Sequence, residues 1–238
     1  MNIARLKKEK RKKVLSICAG GPGSGIQGVY VEIEESGWNI IAHSFIPYPE
    51  PIRQQIHALA EEKHESFSPI QIAALDHRIA QLFVECASTI RARSPNAQKR
   101  PHLAVVGKLP FWRTWEAAGQ MPAGWVFEIG STGPLLAELR VPILTDCALT
   151  AALSTTGSDI PLQAGIARIA ARTAGVLALV NIGLISRAIG VDATAGRVLF
   201  DSDTGPGTCL LNEAARACGC PDGFDRDGAF AATGTLNR

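Results

Sequence analysis

The arrangement that most constrains this chain is a group of three short strands that occurs twice. The first group comprises residues 14–19, 28–34 and 38–45, and the second comprises residues 176–182, 184–191 and 197–201. Apolar runs and apolar–polar alternation indicate the strands, and Ser36-Gly37 predicts a hairpin turn in the first group. Helical patterns come after each group. This repetition predicts an α/β protein in which each half is built on its own sheet.

The two halves differ in the elements that come after the third strand. Further helices are predicted at residues 52–60, 70–91, 132–139, 148–153, 165–173 and 209–218, and further strands at 102–107 and 141–146, with a strand end at 127–130. All the further strands belong to the first half. A sheet without such strands has an open edge and an uncovered apolar face. We therefore expect a homodimer or a complementing chain to cover the second sheet.

Composition excludes several classes of protein. With 46% hydrophobic and 19% charged residues, the chain is too apolar for a disordered protein. No run reaches the roughly 18–20 apolar residues of a membrane span, and the apolar run at 14–19 is shorter than the about 7–15 residues of a signal-peptide core. No Cys and His spacing is typical of a zinc site. We expect a cytoplasmic protein without membrane contact, and no metal ligand can be assigned with certainty.

Basic residues are concentrated before the first strand, at Lys7, Lys8, Lys10, Arg11, Lys12 and Lys13. Such a cluster can attract nucleic acid or an anionic membrane surface, but charge runs at a terminus are usually solvated tails. We predict a basic tail at residues 1–13 and no nucleic-acid partner.

Five motifs occur in a fixed order along the chain. They are residues 43–49, Phe127-Glu128-Ile129-Gly130, Asn181-Ile182-Gly183, the stretch FDSDTGPGT at 200–208 and the stretch DRDGAFAATG at 225–234. These motifs resemble, in the same order, those of the anhydro-N-acetylmuramic acid kinases, and the last two are the most specific. The resemblance implies the actin-like ATPase (ribonuclease H-like) fold. It also implies an enzyme that uses ATP and Mg²⁺ to open and phosphorylate a 1,6-anhydro sugar of cell-wall recycling.

Within that fold the resemblance places a near-complete first lobe at residues 14–174, with insertions on the sugar side. A partial second lobe, on the nucleotide side, is expected at residues 175–238. The family continues past the position that matches Arg238 with a glycine-rich nucleotide loop and closing helices. We therefore expect the second lobe to be truncated and the adenine side of the cleft to be incomplete.

The first glycine-rich segment, residues 20–28, lies between the first two strands, where a turn offers backbone N–H groups to an anion. A plain hairpin is the alternative interpretation. The resemblance implies a phosphate loop and makes Gly23, Ser24, Gly25 and Gly28 candidate phosphate-binding residues. The family has an aspartate where this chain has Gln27, and a neutral amide cannot replace an acid beside magnesium.

A second candidate phosphate loop, Asp203, Thr204, Gly205 and Gly207, lies between a predicted strand and a predicted helix, where helix N-terminal N–H groups can meet a phosphate. A turn opened by Gly-Pro-Gly is the alternative. This stretch holds two residues more than the family motif, so either Asp201 or Asp203 occupies the family's position.

The resemblance assigns Gly107, Lys108 and Gly130 to the substrate side of the cleft. The family has histidine-glycine-glutamine-threonine around Gly107, and here only the glycine is kept. Lys108 either binds an acid or a phosphate, or is simply exposed.

The expected catalytic base is missing. In the family it falls at or beside the position of Ala151, and alanine cannot accept a proton. Asp146 and Asp159 are the weak candidates to replace it, although a displacement of about 1 Å can lower a rate on the order of a hundredfold.

Three functional interpretations remain from the sequence. The preferred one is a catalytically impaired kinase homologue that binds a nucleotide, a sugar or a partner. The second is an active anhydro-sugar kinase completed by a second chain, and the third is a remnant of a decayed gene.

Overall fold

The computed structural model describes residues 11–21, 24–35, 37–60, 68–93, 95–115, 123–146, 175–183, 185–195, 197–220 and 224–235. The chain divides into two compact units, Met1–Ile160 and Pro161–Arg238. The lobe boundary between residues 174 and 175 adjoins a stretch outside the described residues, and it stays a prediction. The helices at 148–153 and 165–173 lie in that stretch as well.

The first unit is built on a five-stranded sheet with strand order β3-β2-β1-β4-β7, and it also has a separate hairpin of β5 and β6. Its strands are β1 (Arg11–Ala19), β2 (Gly25–Glu34), β3 (Gly37–Pro47), β4 (Leu103–Gly107), β5 (Leu109–Trp115), β6 (Ala123–Ile129) and β7 (Ile143–Leu144). The first three form the predicted antiparallel meander, and β4 and β7 add to it in parallel. The carboxyl ends of β1, β4 and β7 therefore lie along one edge.

Among the described residues of this unit there are four helices: α1 (Glu50–Ala60), α2 (Pro69–Arg93), α3 (Pro95–Gln98) and α4 (Gly133–Leu139). Ser68 and Gln71 begin α2 with reciprocal backbone–side-chain hydrogen bonds, the pattern of a capping box. The buried face of α2 includes Ile79, Phe83 and Ile90, which belong to one core with Leu15 and Ile17 of β1. This helix holds one face of the sheet away from water.

The structure corrects one predicted strand and adds one that was not predicted. Of the strand at 141–146 only Ile143 and Leu144 pair with a neighbour, because Pro142 has no N–H to donate and Asp146 has a φ of +60°. The segment after Lys108 was not predicted as a strand, yet β5 runs along β6 from Leu109. Pro110 obscures the pattern, but a strand that pairs on one side tolerates a proline.

The second unit contains a three-stranded sheet with order β10-β9-β8, again an antiparallel meander. Its elements are β8 (Val176–Ile182), β9 (Ile185–Asp192), β10 (Arg197–Pro206) and α5 (Thr208–Ala217). The buried apolar residues on the sheet are Ile189 and Val191. The second meander and its helix are confirmed, but β10 runs five residues beyond the predicted end at residue 201.

Candidate functional site

Three groups of predicted site residues lie at the ends of the parallel strands of the first unit. The turn that begins at Gly20 comes directly after β1, Lys108 comes directly after β4, and Asp146 comes two residues after β7. Cys18 of β1 pairs with Gly107, and Val105 of β4 pairs with Leu144, so these ends are neighbours. Ligands of open α/β sheets bind outside the carboxyl ends of the strands. We call this region the strand-end site.

The first glycine-rich turn spans Gly20 to Gly25 and is closed by backbone hydrogen bonds. The Gly20 N–H donates to the Gly25 carbonyl (2.8 Å), and the Ser24 N–H donates to the Gly21 carbonyl (3.0 Å). A Cβ on Gly20 would lie 2.6 Å from Ser24 Oγ, whereas a Cβ on Gly21 would meet no atom within 4 Å. The space around Gly20 is therefore filled, whereas Gly21 borders open space. Gly23 lies outside the described residues.

Tyr48, which the sequence did not single out, supports this turn. Its hydroxyl donates to the Gly20 carbonyl (3.0 Å), and its backbone N–H donates to the Ser24 carbonyl (3.2 Å). Burial is the main reason that the pKa of Tyr48 is raised, with the neighbouring Cys18 adding to it. The phenol thus stays a neutral donor. The sequence signal that could have identified Tyr48 is its position between Pro47 and Pro49, inside the motif at residues 43–49.

Gly28 was predicted as part of the loop, and the structure corrects its position to the interior of β2. There it pairs with Ile17 and Ser44. A Cβ on Gly28 would lie 2.6 Å from both Cys86 Sγ and Ile90 Cδ1 of α2, so helix packing requires a glycine. Gln27, the residue that replaces the family's acid, is exposed and belongs to the same strand rather than to the turn.

The structure brings together two residues that the sequence proposed separately. Lys108 Nζ donates to Asp146 Oδ1 at 2.5 Å. The Lys108 side chain is 18% exposed and that of Asp146 is 41% exposed, so the ion pair lies at the rim of the site. Thr145 Oγ1, next to it in the chain, is buried and has no hydrogen-bond partner within the described ranges.

Gly130 lies opposite Lys108, because Leu109 pairs with Ile129 in the hairpin. Its φ is +115°, and a Cβ would lie 2.7 Å from the ring of Phe83. The Gly130 N–H donates to Asp76 Oδ1 of α2 (2.7 Å), and no motif pointed to this aspartate. Backbone conformation and packing account for this glycine.

The second glycine-rich segment is not a loop over its whole length. Asp203, Thr204 and Gly205 belong to β10, and the pairing with β9 shifts between Asp203 and Gly205, where Gly205 has a φ of +121°. Gly207 alone stands between the strand and α5. A Cβ on Gly207 would lie 2.2 Å from the Gly183 carbonyl oxygen, so close backbone approach requires this glycine.

The two aspartates of this segment have different surroundings. Asp201 forms a two-point ion pair with Arg187 of β9, with Nε–Oδ1 at 2.7 Å and an Nη2–Oδ2 hydrogen bond at 3.0 Å. Asp203 is exposed. The assignment of the family's position to Asp201 or Asp203 stays a prediction.

The DRDG motif has a local structural role. The Asp225 carboxylate accepts the backbone N–H groups of Phe230 (2.7 Å) and Ala231 (2.8 Å). Asp227 and Gly228 both have positive φ values, 55° and 69°. The motif thus fixes a compact turn in the second unit.

The donors at the strand-end site do not suit Mg²⁺. Magnesium in phosphate-transferring enzymes is bound by one or two carboxylates and by phosphate oxygens. Here the Lys108 ammonium lies against the Asp146 carboxylate and repels a cation. Nowhere in the described part of the chain do three His, Cys, Asp or Glu side chains form a group that fits a metal ion. Asp159 and the Ala151 position lie outside the described residues.

Comparisons with a family model and with curated proteins both point to one family. Residues 12–238 match the family model described as anhydro-N-acetylmuramic acid kinase. The chain is 26% identical to the protein of that name from Nitrosospira multiformis, covering 92% of this chain and 58% of the relative. It is also 26% identical to the protein of the same name from a Cyanothece species. That match covers 93% of this chain and 59% of the relative. The chain thus spans about three fifths of the length of these curated relatives.

A solved structure, the Ppx/GppA family member of Aquifex aeolicus, aligns with a TM-score of 0.39 at 10% identity, covering 85% of this chain and 54% of that one. Among the helices that the structure describes, none is long and apolar enough to cross a membrane.

Proposed function

The chain belongs to the anhydro-N-acetylmuramic acid kinase family, and we propose that it binds the ligands of a sugar kinase without transferring a phosphoryl group. Its α/β fold is accordingly that of the actin-like ATPases. The proposed ligands are a nucleotide and a 1,6-anhydro sugar of peptidoglycan recycling, and the proposed location is the cytoplasm.

The observation that carries this proposal is the ion pair between Lys108 and Asp146. Opening and phosphorylation of a 1,6-anhydro sugar needs a carboxylate that takes a proton from the attacking water, while the phosphoryl group goes to the sugar oxygen that ring opening releases. Asp146 Oδ1 accepts a hydrogen bond from Lys108 Nζ at 2.5 Å, which holds one carboxylate oxygen in an ion pair, and Ala151 stands at the family's base position. The residue that matches the family's loop acid is the neutral Gln27. These features support the hypothesis that the strand-end site has kept its backbone framework but has lost the catalytic base.

Two features support ligand binding at the same place. The backbone at Gly21 borders open space, where its groups are accessible to an anion. The Lys108 ammonium has three donors, and the Asp146 contact uses one of them.

Calorimetric titration of the whole chain with ATP and, separately, with the anhydro sugar tests the proposal. We expect saturable heat with at least one of the two ligands. Lys108→Ala should weaken that binding about tenfold or more, because a charge-assisted hydrogen bond is lost. Lys99→Ala, which removes an exposed lysine outside the site, serves as the matched control. Absence of heat with both ligands, or equal effects of the two variants, would contradict binding at the strand-end site.

A second candidate function is an active kinase completed by another chain. The match covers 58% and 59% of the curated relatives, so the remaining segment of a relative can be supplied as a separate chain. Mixing this chain with the remaining segment of the Nitrosospira relative distinguishes the two candidates. Transfer of phosphate to the sugar only in the mixture would establish the second candidate, and no transfer in either sample supports the first.

A further inference from the structure

One residue holds both ends of the first glycine-rich turn. Tyr48 lies between β3 and α1, and its hydroxyl donates to the Gly20 carbonyl at 3.0 Å. Its backbone N–H donates to the Ser24 carbonyl at 3.2 Å. Tyr48 is only 4% exposed and belongs to the core that also includes Ile52 and Ile56 of α1. The turn is therefore attached to the core of the first unit through this tyrosine.

The hydroxyl contact also fixes the direction of the next N–H group. The C=O of Gly20 and the N–H of Gly21 belong to one trans peptide plane, in which the two groups point in opposite directions. Because the C=O is directed at Tyr48, the N–H is directed away from it. Gly21 is exposed, and a Cβ built on it would meet no atom within 4 Å. The Gly21 N–H thus faces open space beyond the end of β1.

The remaining N–H groups that the structure describes between β1 and β2 are already used. Those of Gly20 and Ser24 donate to the carbonyls of Gly25 and Gly21 within the turn. Pro22 has no N–H to offer. Among the described residues between these strands, Gly21 is therefore the one whose N–H is left for an anion.

We propose that Tyr48 is a positioning residue of the strand-end site, whose hydroxyl sets the Gly20–Gly21 peptide plane so that the Gly21 N–H donates to a phosphate oxygen of a nucleotide. This inference rests on the proposed function and adds the side chain that orients the phosphate contact. Tyr48 acts through the backbone and does not touch the ligand. Burial raises the pKa of its phenol, so the hydroxyl keeps its proton at neutral pH and remains a donor.

The neighbouring strand end favours an anion over a neutral group at this place. Cys18 of β1 pairs with Gly107 of β4, so the turn and Lys108 follow adjacent strand ends. A phosphate on the Gly21 N–H would lie at the same edge of the sheet as the Lys108 ammonium. Charge-assisted contacts of this kind are the strong ones, which supports a phosphoryl group as the occupant.

Tyr48→Phe tests the proposal, and Tyr30→Phe is its matched control. Tyr30 is also buried, and its hydroxyl donates to the Lys99 carbonyl at 2.6 Å, outside the turn. Both variants keep the ring and lose one hydrogen bond from a phenol to a backbone carbonyl, so their thermal unfolding temperatures should fall by similar amounts. Only Tyr48→Phe should raise the dissociation constant of ATP, by about three- to tenfold in calorimetric titration. Equal ATP affinities of the two variants would overturn the proposal.

A second readout needs no ligand. With the whole chain labelled with ¹⁵N-glycine, the order parameter of the Gly21 amide should fall from about 0.85 in the wild type to below about 0.6 in Tyr48→Phe. The Gly28 amide inside β2 should keep its value, as should Gly21 in Tyr30→Phe. An order parameter of Gly21 that is the same with and without the Tyr48 hydroxyl would overturn the proposal.

The same labelled chain separates this inference from the proposed function. ATP should shift the Gly21 amide signal of the wild type and should leave that of Gly28 in place. Saturable heat with ATP or the anhydro sugar and an unmoved Gly21 signal would overturn the role of Tyr48 while the proposed function stands. No heat and no shift with either ligand would overturn both.

Discussion

The same three-stranded meander occurs in both units, but the surroundings of its first strand differ. In β1, Leu15 and Ile17 are 0% and 1% exposed, because α2 covers the sheet face and β4 adds to the edge. In β8, Val180 and Ile182 are largely exposed. Local sequence is thus sufficient to produce the meander, whereas its burial depends on elements that lie elsewhere in the chain. The site that we propose lies in the first unit, where α2 and β4 are such elements.

The largest expected difference between the units concerns two phenylalanines. Phe83 of α2 is fully buried, and Phe200 of β10 is half exposed. Phe83→Ala should lower the free energy of unfolding by about 3–5 kcal/mol, and Phe200→Ala by roughly 1 kcal/mol or less. Urea denaturation monitored by tryptophan fluorescence reports the first unit, since all four tryptophans belong to it.

Phe83→Ala should therefore shift the fluorescence transition strongly, and Phe200→Ala should leave it in place. Equal shifts of the fluorescence transition for the two variants would show that the two units unfold together. The expected difference in stability between the units would then be contradicted.

A pair of glycines gives a smaller expected effect. Gly28→Ala places a methyl group 2.6 Å from Cys86 Sγ and Ile90 Cδ1 inside the first core, and this overpacking should lower stability by about 1–3 kcal/mol. Gly190→Ala brings a methyl group against the ring of Phe200, which is half exposed and can turn away into water. Its effect should be below about 1 kcal/mol. Thermal unfolding by circular dichroism compares the two, and a larger effect for Gly190→Ala would reverse the comparison.

The smallest effect is a pH dependence confined to the first unit, which holds both tyrosines of the chain, Tyr30 and Tyr48. Burial raises the pKa of Tyr30 to about 12 and also raises that of Tyr48. A pKa raised in the folded state contributes stability that is complete below the ordinary value of about 10 and is lost as the pH rises through the folded value.

Tyrosinate absorbance at 295 nm should therefore stay low at pH 10 and rise together with the loss of circular dichroism above it. A titration with a midpoint near pH 10 in a protein that keeps its native spectrum would contradict the burial of these two side chains.

Much of the fold could be predicted from the sequence, because alternation and helical spacing are local signals. Both meanders, α2 and α5 are examples. The strand β5 was missed because a proline obscures its pattern, and the strand predicted at 141–146 was shortened by Pro142 and Asp146. Strand ends depend on which backbone groups find a partner, and the sequence does not show this.

The site was predicted less completely, since its chemistry depends on pairs of residues far apart in the chain. Lys108 was expected to bind an acid or a phosphate or to be exposed, but the sequence did not identify Asp146 as that acid. Tyr48 and Asp76 were missed because each acts through a backbone group that is distant in sequence. Conversely, Gly28 and Gly130 have packing roles that a motif alone cannot separate from ligand binding.

A single-turnover reaction tests most directly whether the strand-end site binds without catalysis. The whole chain, in excess over ATP labelled on its γ-phosphate, is mixed with the anhydro sugar and Mg²⁺, and labelled sugar phosphate is measured over time. Kinases typically turn over at about 1–100 per second. We predict no labelled product above the protein-free control over hours, because Asp146 is engaged by Lys108. Product formed at a kinase-like rate by this chain alone would contradict that account.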